Sequence, residues 1–464
     1  MASPGDQPIP SCHVVVMAYP GHGNINPMLS LCTAVAERSS DVLITMVLTE
    51  EWLGLLAAVK KPPNVNFAAI PNVLPPEKVR GEDFNAFIVA VMTKMEAPFE
   101  RLLDSGELPP PDFIIGDALL FWVHKVAGRR NIPSAHVWTM SASVYTVYYH
   151  FDLLVQNGHY PVDLPVNGEA VVDYIAGLSP VRVADLSLLI RDQEAMPKIL
   201  QILPNDSNAK HLIFTSFYEP ESRVFEALKQ KSSMSIYNIG PATEYSKLRD
   251  IKMSSAAADD TNSYLRWLDL QPPSSVLYIS LGSYLHIAAA QMDEIAAGLQ
   301  GSGVRFLWVV RREASRLQEM SGDKGLVVGW CDQVRVLCHP SVGGFLSHCG
   351  WNSTKEAVLA GVPVLTFPIN MDQLPNAKAI VEDWRIGWRV LEREYDEKIL
   401  KKRDEISEIV KKFMDLENPE RKEISKNVRE LQKICEREFE DGQSHQTNVD
   451  HLVRSIKTCC TLKS

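Results

Sequence analysis

The chain lacks the long apolar run that a transmembrane helix needs, and no basic residue precedes its first apolar stretch. That stretch, at residues 12–18, is too short to cross a bilayer. Positive charge is also in deficit, because 57 acidic residues against 47 basic ones give a formal charge of −10. Such a charge argues against nucleic-acid binding. We therefore expect a cytoplasmic protein with no membrane span and no nucleic-acid partner.

Cysteine is scarce and irregularly spaced. The eight cysteines stand at positions 12, 32, 331, 338, 349, 435, 459 and 460, with no CxxC pair among them. This spacing fits neither a disulfide framework nor a zinc site. We therefore predict reduced thiols and no bound metal ion.

The length and the hydrophobic pattern predict two α/β domains. A chain of 464 residues exceeds what one hydrophobic core usually supports. Short apolar runs alternate with helix-like segments from residue 12 onward, which indicates parallel sheets. The alternation fades between about 241 and 262, in a stretch of small and polar residues. We predict a first domain at 1–240, a linker at 241–262 and a second domain at 263–440.

One stretch of the second domain reads as a strand, a turn of small residues and a helix start. The apolar run 343–346 breaks off at residues 347–353 and resumes with a helical pattern at 354–360. The start of a helix favours an anion such as phosphate, because its first N–H groups are unpaired within the helix. Glu356, one turn into that helix, could accept hydrogen bonds from a diol such as ribose. The side-chain donors at the turn are His348, Asn352 and Ser353.

The stretch Trp330–Gln373 that contains this turn resembles, nearly residue for residue, the signature box of plant family-1 UDP-glycosyltransferases. The resemblance covers nearly the whole chain. It implies the GT-B fold, in which two Rossmann-like domains with parallel sheets face a cleft. It implies an acceptor-binding domain at 1–240, a UDP-sugar-binding domain at 263–440 and a C-terminal helix at 441–464 that packs back on the first domain.

The resemblance also implies the donor-binding residues and their roles. Trp330 would stack on uracil, and Trp351 would line the sugar pocket. The other implied donor-site residues are Cys331 and Gly350, Gln333 and Glu356 on the ribose, His348, Asn352, Ser353 and Ser283 on the phosphates, and Asp372 and Gln373 on the sugar hydroxyls. We expect UDP-glucose as the co-substrate, since Gln373 closes the box. No permanently bound cofactor is expected, and the protein is expected to be a monomer.

The catalytic positions depart from the family pattern. Members of the family carry Gly-His-Ile-Asn-Pro in the first βα loop, and their His removes the acceptor proton while an Asp orients it. Asp117 falls at the Asp position, but the loop here reads Gly23-Asn24-Ile25-Asn26-Pro27. An amide cannot take a proton at neutral pH. Losing a general base costs about 10²–10⁴-fold in rate, or roughly 3–5 kcal/mol.

Three accounts of this departure stay open on the sequence alone. His22 could reach into the site and act as the base. The acceptor could already be ionised, as a carboxylate is, or Asp117 could serve as the base. Alternatively, the fold could have been redirected to a non-glycosylating reaction on a small molecule, or to binding without catalysis. The sequence does not identify the acceptor.

Two further positions differ from the family pattern. Asn370 stands where members usually carry Trp or Phe, beside the sugar and the acceptor. Lys355 replaces a usual Leu on the helix that follows the turn at residues 347–353. We call this turn, which is predicted to bind phosphate, the phosphate turn. Since a cation is unfavourable near a helix N-terminus, the Lys355 ammonium either reaches a phosphate or points to solvent, and we expect it to point to solvent.

Overall fold

The chain is described by a computed structural model in which two compact units are seen. The structure describes residues 11–77, 80, 83–191, 196–200, 209–253, 263–282, 287–311, 313–440 and 444–461. Unit 1 comprises Met1–His150, Gln193–Thr243 and Glu438–Ser464, and unit 2 comprises Phe151–Asp192 and Glu244–Arg437. The segment Phe151–Asp192, which the sequence pattern placed in the first domain, therefore makes its contacts mainly within unit 2.

The strands are short, as the apolar runs predict. In chain order they are β1 (Cys12–Met17), β2 (Val42–Thr49), β3 (Val65–Ile70), β4 (Phe113–Asp117), β5 (Ser134–Trp138), β6 (Val171–Val172), β7 (Val181–Arg182), β8 (Ala209–Phe214), β9 (Ser235–Asn238), β10 (Val276–Ser280), β11 (Arg305–Val309), β12 (Gly325–Val328), β13 (Val342–Ser347), β14 (Val364–Thr366) and β15 (Gly387–Arg389).

Helices connect most of these strands. The helices are α1 (His22–Arg38), α2 (Glu50–Leu55), α3 (Phe84–Lys94), α4 (Glu96–Asp104), α5 (Phe121–Arg129), α6 (Ala142–Tyr149), α7 (Phe151–Gln156), α8 (Leu164–Asn167), α9 (Leu188–Arg191), α10 (Met196–Ile199), α11 (Ser222–Lys231), α12 (Ala242–Met253), α13 (Ser263–Asp269), α14 (Ala289–Ser302), α15 (Ala314–Ser321), α16 (Gln333–Leu337), α17 (Trp351–Ala360), α18 (Gln373–Lys378), α19 (Arg403–Met414), α20 (Pro419–Arg437) and α21 (Ser444–Thr461). The structure also describes 3₁₀ turns at Val183–Asp185 and Glu219–Glu221 and a π turn at Ala379–Asp383.

The sheet of unit 1 is parallel, with strand order β3-β2-β1-β4-β5-β8-β9. Its central strand β1 is buried along its whole length, which explains the uninterrupted apolar run at residues 14–17. The chain order reverses between β1 and β4. In open α/β sheets, ligands bind beyond the carboxyl ends of the strands at such a reversal. The first turn of α1, which carries Asn24, and the end of β4 at Asp117 both lie there.

The sheet of unit 2 is also parallel, with strand order β12-β11-β10-β13-β14-β15. The reversal here lies between β10 and β13. The phosphate turn predicted from the sequence follows the carboxyl end of β13, so it occupies the corresponding edge of this sheet.

Residues 403–437 include the amphipathic helices α19 and α20, whose buried residues recur at helical spacing. Most of the stretch predicted as a linker is described: residues 242–253 form α12, and residues 254–262 lie outside the described part of the chain. No helix among the described residues is both long and apolar enough to span a membrane.

The last helix, α21, belongs to unit 1 and packs against α1 and the sheet. Lys457 Nζ lies 2.7 Å from Asp41 Oδ1, and Cys460 forms a disulfide with Cys12 at the start of β1. The prediction that all cysteines are reduced thiols is therefore wrong for this pair. The two cysteines are 448 residues apart, and only the packing of α21 against the sheet brings them together.

Candidate active site

The turn after β13 presents an open helix start. Cys349 adopts the left-handed region at φ 64°, and its N–H donates to Ser347 Oγ at 3.0 Å. Helix α17 then begins at Trp351, and no side chain caps it at Gly350. The N–H groups of its first turn can therefore bind an anion. Cys349 is buried, and this burial raises the pKa of its thiol, as is typical of a structural cysteine.

His348 is enclosed by two glycines at this turn. A Cβ at Gly282, which has φ +87°, would lie 3.0 Å from the imidazole, and a Cβ at Gly350 would lie 2.5 Å from it. Burial lowers the pKa of His348 to about 4, so its ring is neutral at pH 7. Its Nδ1 is buried and has no hydrogen-bond partner in the described residues. A neutral imidazole with an unused ring nitrogen can donate a hydrogen bond to a phosphate oxygen.

The two residues implied for ribose binding are hydrogen-bonded to each other. Gln333, at the start of α16, donates through Nε2 to Glu356 Oε2 at 2.5 Å and to Ser353 Oγ at 2.9 Å. The hydroxyl of Tyr278, on β10, donates to Gln333 Oε1 at 3.0 Å. The carboxylate of Glu356 is thereby oriented. The sequence interpretation missed Tyr278, because its position on a buried strand is typical of a core residue.

The aromatic residues of the box differ in exposure. Trp330 is 67% exposed, so its face is available for stacking on a base. Trp351 is buried near Trp384, with ring centroids 6.1 Å apart. Cys331, which follows Trp330 in the chain, is buried beside the Tyr278 hydroxyl. Burial raises the pKa of the Cys331 thiol to about 12.

The sugar-binding pair implied by the resemblance, Asp372 and Gln373, lies at the start of α18. Asn376 Nδ2 donates to Asp372 Oδ2 at 2.8 Å and to the carbonyl of Cys349 at 2.9 Å, which connects this pair to the phosphate turn. Burial raises the pKa of Asp372 to about 6. Gln373 Oε1 accepts the N–H groups of Ile369 and Asn370 at 2.8 and 3.0 Å, so its amide has a fixed orientation.

Two further residues from the sequence analysis are Lys355, on α17, and Ser283. Lys355 is 1% exposed, so the prediction that its ammonium points to solvent is wrong. The reason is that α17 packs against α16, α18 and α20, which leaves this part of the helix without a solvent-facing side. Ser283, implied as a phosphate contact, lies outside the described residues.

In unit 1 the positions that the resemblance implies as catalytic form a hydrogen-bonded group. Asn24, in the first turn of α1, donates through Nδ2 to Asp117 Oδ2 and to Thr139 Oγ1, both at 2.9 Å. Asp117 is 1% exposed, and its Oδ1 accepts the N–H of Leu119 at 2.9 Å. Burial raises the pKa of Asp117 to about 6, against the opposing effect of these hydrogen bonds. Thr139 was missed, although it follows β5, whose carboxyl end lies beside that of β4.

His22, the substitute base considered from the sequence, has different surroundings. Its ring meets Trp52 edge-on, with centroids 4.7 Å apart, and its Nε2 lies 3.6 Å from Glu77 Oε1. These contacts hold the imidazole against α2 and the loop that follows β3. The side chain that contacts Asp117 is Asn24.

Comparison with known proteins identifies the family of this chain. Residues 249–400 match the sequence family described as UDP-glucoronosyl and UDP-glucosyl transferase. UDP-glycosyltransferase 87A2 of Arabidopsis thaliana is 44% identical over 448 residues, which are 96% of each chain. The chain belongs to the UDP-glycosyltransferase family. Another member, 7-deoxyloganetin glucosyltransferase of Catharanthus roseus, is 31% identical over 483 residues and is matched over 96% of each chain.

Solved structures of UDP-glycosyltransferases share the fold. UGT71G1 of Medicago truncatula, complexed with UDP-glucose, superposes with a TM-score of 0.80 at 24% identity, over 96% of this chain and 98% of that one. Os79 of O. sativa, in complex with UDP, gives 0.79 at 24% identity, over 96% of this chain and 100% of that one. The expected GT-B fold, with a Rossmann-like parallel sheet in each of two units, is confirmed.

Proposed function

We propose that this UDP-glycosyltransferase transfers glucose from UDP-glucose, with inversion, to a hydroxyl group of a small and largely apolar natural product. The observation that carries the proposal has two parts. In unit 2 the side chains of Gln333, Glu356 and Asp372, implied for donor binding, are held by hydrogen bonds. In unit 1 an Asn24–Asp117 pair stands where the family has a His–Asp pair. UGT71G1, which was solved with UDP-glucose, supports a UDP-sugar as co-substrate. Action in the cytoplasm as a monomer, with no permanently bound cofactor or metal ion, stays a prediction.

The donor residues suit a nucleoside diphosphate sugar. The open start of α17 and the neutral ring of His348 offer N–H donors to a diphosphate without a basic field. The carboxylate of Glu356, oriented by Gln333, suits the two ribose hydroxyls. These donors also stabilise the charge that builds up on UDP as it leaves.

The acceptor side determines which nucleophile fits. Both N–H bonds of the Asn24 amide are used, on Asp117 and on Thr139. Its Oδ1 has no partner among the described residues, and this oxygen can only accept a hydrogen bond. Asn24 therefore suits an acceptor that arrives as an O–H donor. A carboxylate has no such hydrogen and would be repelled by this oxygen and by the charge of Asp117.

Asp117 supports Asn24 and is poorly placed to act as the base. Its carboxylate is buried, and each of its oxygens already accepts a hydrogen bond within unit 1. With a pKa of about 6 it is mostly ionised at pH 7, and in that form it fixes the direction of the Asn24 amide.

The reaction then proceeds without a side-chain base. The acceptor oxygen, held by Asn24 Oδ1, attacks C1 of the sugar from the face opposite UDP. The bond from C1 to the phosphate oxygen breaks, and UDP leaves with the electron pair. The acceptor proton passes to solvent. Acidic hydroxyls such as phenols and enols lose this proton most readily, so we expect them to be better acceptors than alkanols.

The test uses three acceptors on one aromatic skeleton: a phenol, a benzylic alcohol and a benzoic acid. The protein is incubated with UDP-glucose and each acceptor, while UDP release and product mass are followed. We expect the phenol to give the fastest transfer. Preference for the acid would favour an already ionised acceptor. A protein that binds UDP but releases none with any acceptor would point to the redirected reaction or to a non-catalytic binder.

A further inference from the structure

A strained turn precedes the sugar-recognition pair of unit 2. Met371, immediately before Asp372, has φ 58°, a left-handed conformation that is unfavourable for a residue with a side chain. Such a conformation persists only where the surroundings hold it. We call residues 369–373 the 371 turn.

Both backbone polar groups of Met371 are held by hydrogen bonds. Its N–H donates to Asn370 Oδ1 at 2.7 Å. Its carbonyl accepts two hydrogen bonds from the segment 183–191, one from Ser187 Oγ and one from the N–H of Leu188, each at 3.1 Å. Asn370, which departs from the aromatic residue usual in the family, therefore acts here as a cap on the turn.

The segment 183–191 is itself anchored within unit 2. Asp185, 1% exposed, lies 3.5 Å from Arg389 NH1 and accepts from Arg182 Nε at 2.7 Å. Arg191 NH1 donates to Glu394 Oε1 at 2.7 Å. Ion pairs on both sides of Ser187 thus hold this segment against the strand and loop that follow the 371 turn. Because the segment 183–191 is anchored, the Ser187 hydroxyl cannot move together with the 371 turn. Its hydrogen bond to Met371 can therefore hold the turn in place.

We propose that Ser187 is a positioning residue for sugar recognition, which clamps the 371 turn so that Asp372 and Gln373 face the sugar. The inference rests on the proposed function. It adds a determinant of donor selectivity that lies outside the signature box, about 140 residues before it in the chain. Because the clamp acts at the sugar end of the donor site, it affects a UDP-sugar and leaves UDP itself unaffected.

The test compares the affinities of UDP and UDP-glucose by calorimetry for wild type and Ser187→Ala. Loss of one hydrogen bond, worth about 1 kcal/mol, corresponds to a loss of about five-fold in UDP-glucose affinity. UDP affinity should stay unchanged. Asn370→Ala, which removes the hydrogen bond on the other side of Met371, should show the same selective loss. Ser187→Thr keeps the hydroxyl and should retain most of the affinity.

Ser179→Ala is the matched control. It removes the same hydroxyl from the same region, but from a contact with Lys378 and Asp383 beyond the 371 turn, so both affinities should stay at the wild-type level. Equal losses for UDP and UDP-glucose in Ser187→Ala, or no loss for either, would overturn the proposal. A wild type that binds UDP-glucose in the same titration keeps the proposed function intact in that case. A wild type that binds neither ligand overturns both.

Discussion

Restoring an imidazole at position 24 is the most direct perturbation of the proposed mechanism. Asn24 Nδ2 lies 2.9 Å from Asp117 Oδ2, so a ring N–H in Asn24→His can take over that hydrogen bond. The other ring nitrogen then faces the direction in which Asn24 Oδ1 now points. The variant would hold a general base together with the carboxylate that orients it.

The expected gain follows from the acidity of the acceptor. A positioned general base contributes about 10²–10⁴-fold, equivalent to roughly 3–5 kcal/mol of the barrier. We expect Asn24→His to raise kcat for an alkanol acceptor by about 10²-fold or more, because such a hydroxyl loses its proton reluctantly. The gain should be smaller for a phenol, which ionises more easily, and close to zero for a carboxylate.

The assay follows UDP release at saturating UDP-glucose for wild type, Asn24→His and Asn24→Ala, with each acceptor and across pH. The rate of Asn24→His should rise with pH as the imidazole loses its proton, a dependence absent from Asn24→Ala. Adding Asp117→Asn to Asn24→His should remove much of the gain, because the ring loses its charged partner. A wild type that glucosylates the alkanol as fast as Asn24→His would refute the reasoning that the missing base is costly.

Three further outcomes follow from the structure. Glu356→Ala removes a carboxylate implied for ribose binding, and calorimetry should show about ten-fold or greater weakening of UDP binding, the cost of a charged hydrogen bond. Burial raises the pKa of Asp372 from its ordinary value of 3.8 to about 6, so ionisation of this carboxyl group destabilises the fold as pH rises between these values. Asp372→Asn should therefore gain up to about 3 kcal/mol relative to wild type between pH 4 and 6, measured by denaturant unfolding. Reduction, or Cys460→Ser, should cost about 2–5 kcal/mol of stability by loss of the bond to Cys12, with a fall in Tm, whereas Cys459→Ser, outside the disulfide, should leave Tm near that of wild type.

The sequence by itself determined the parts of this protein that depend on local pattern. Uninterrupted apolar runs such as Val14–Val16 predict buried parallel strands, because successive side chains of such a strand meet helices on both faces of the sheet. The phosphate turn could also be predicted from local pattern, because its strand, its turn of small residues and its helix start are adjacent in the chain. The departure at Asn24 is equally visible there, because it is a change of residue type within a fixed motif.

Tertiary structure alone decided what joins residues far apart in the chain. The spacing of Cys12 and Cys460 carries no sign of their disulfide, which depends on where α21 packs. Hydrophobic periodicity likewise gave no sign that Lys355 is buried, because its burial depends on helices that pack around α17 from distant parts of the chain. The sequence also gave no sign of the hydrogen bond from Ser187 to the carbonyl of Met371, 184 residues later. Such a bond depends on where the two segments lie in space, and it leaves no periodic pattern in either of them.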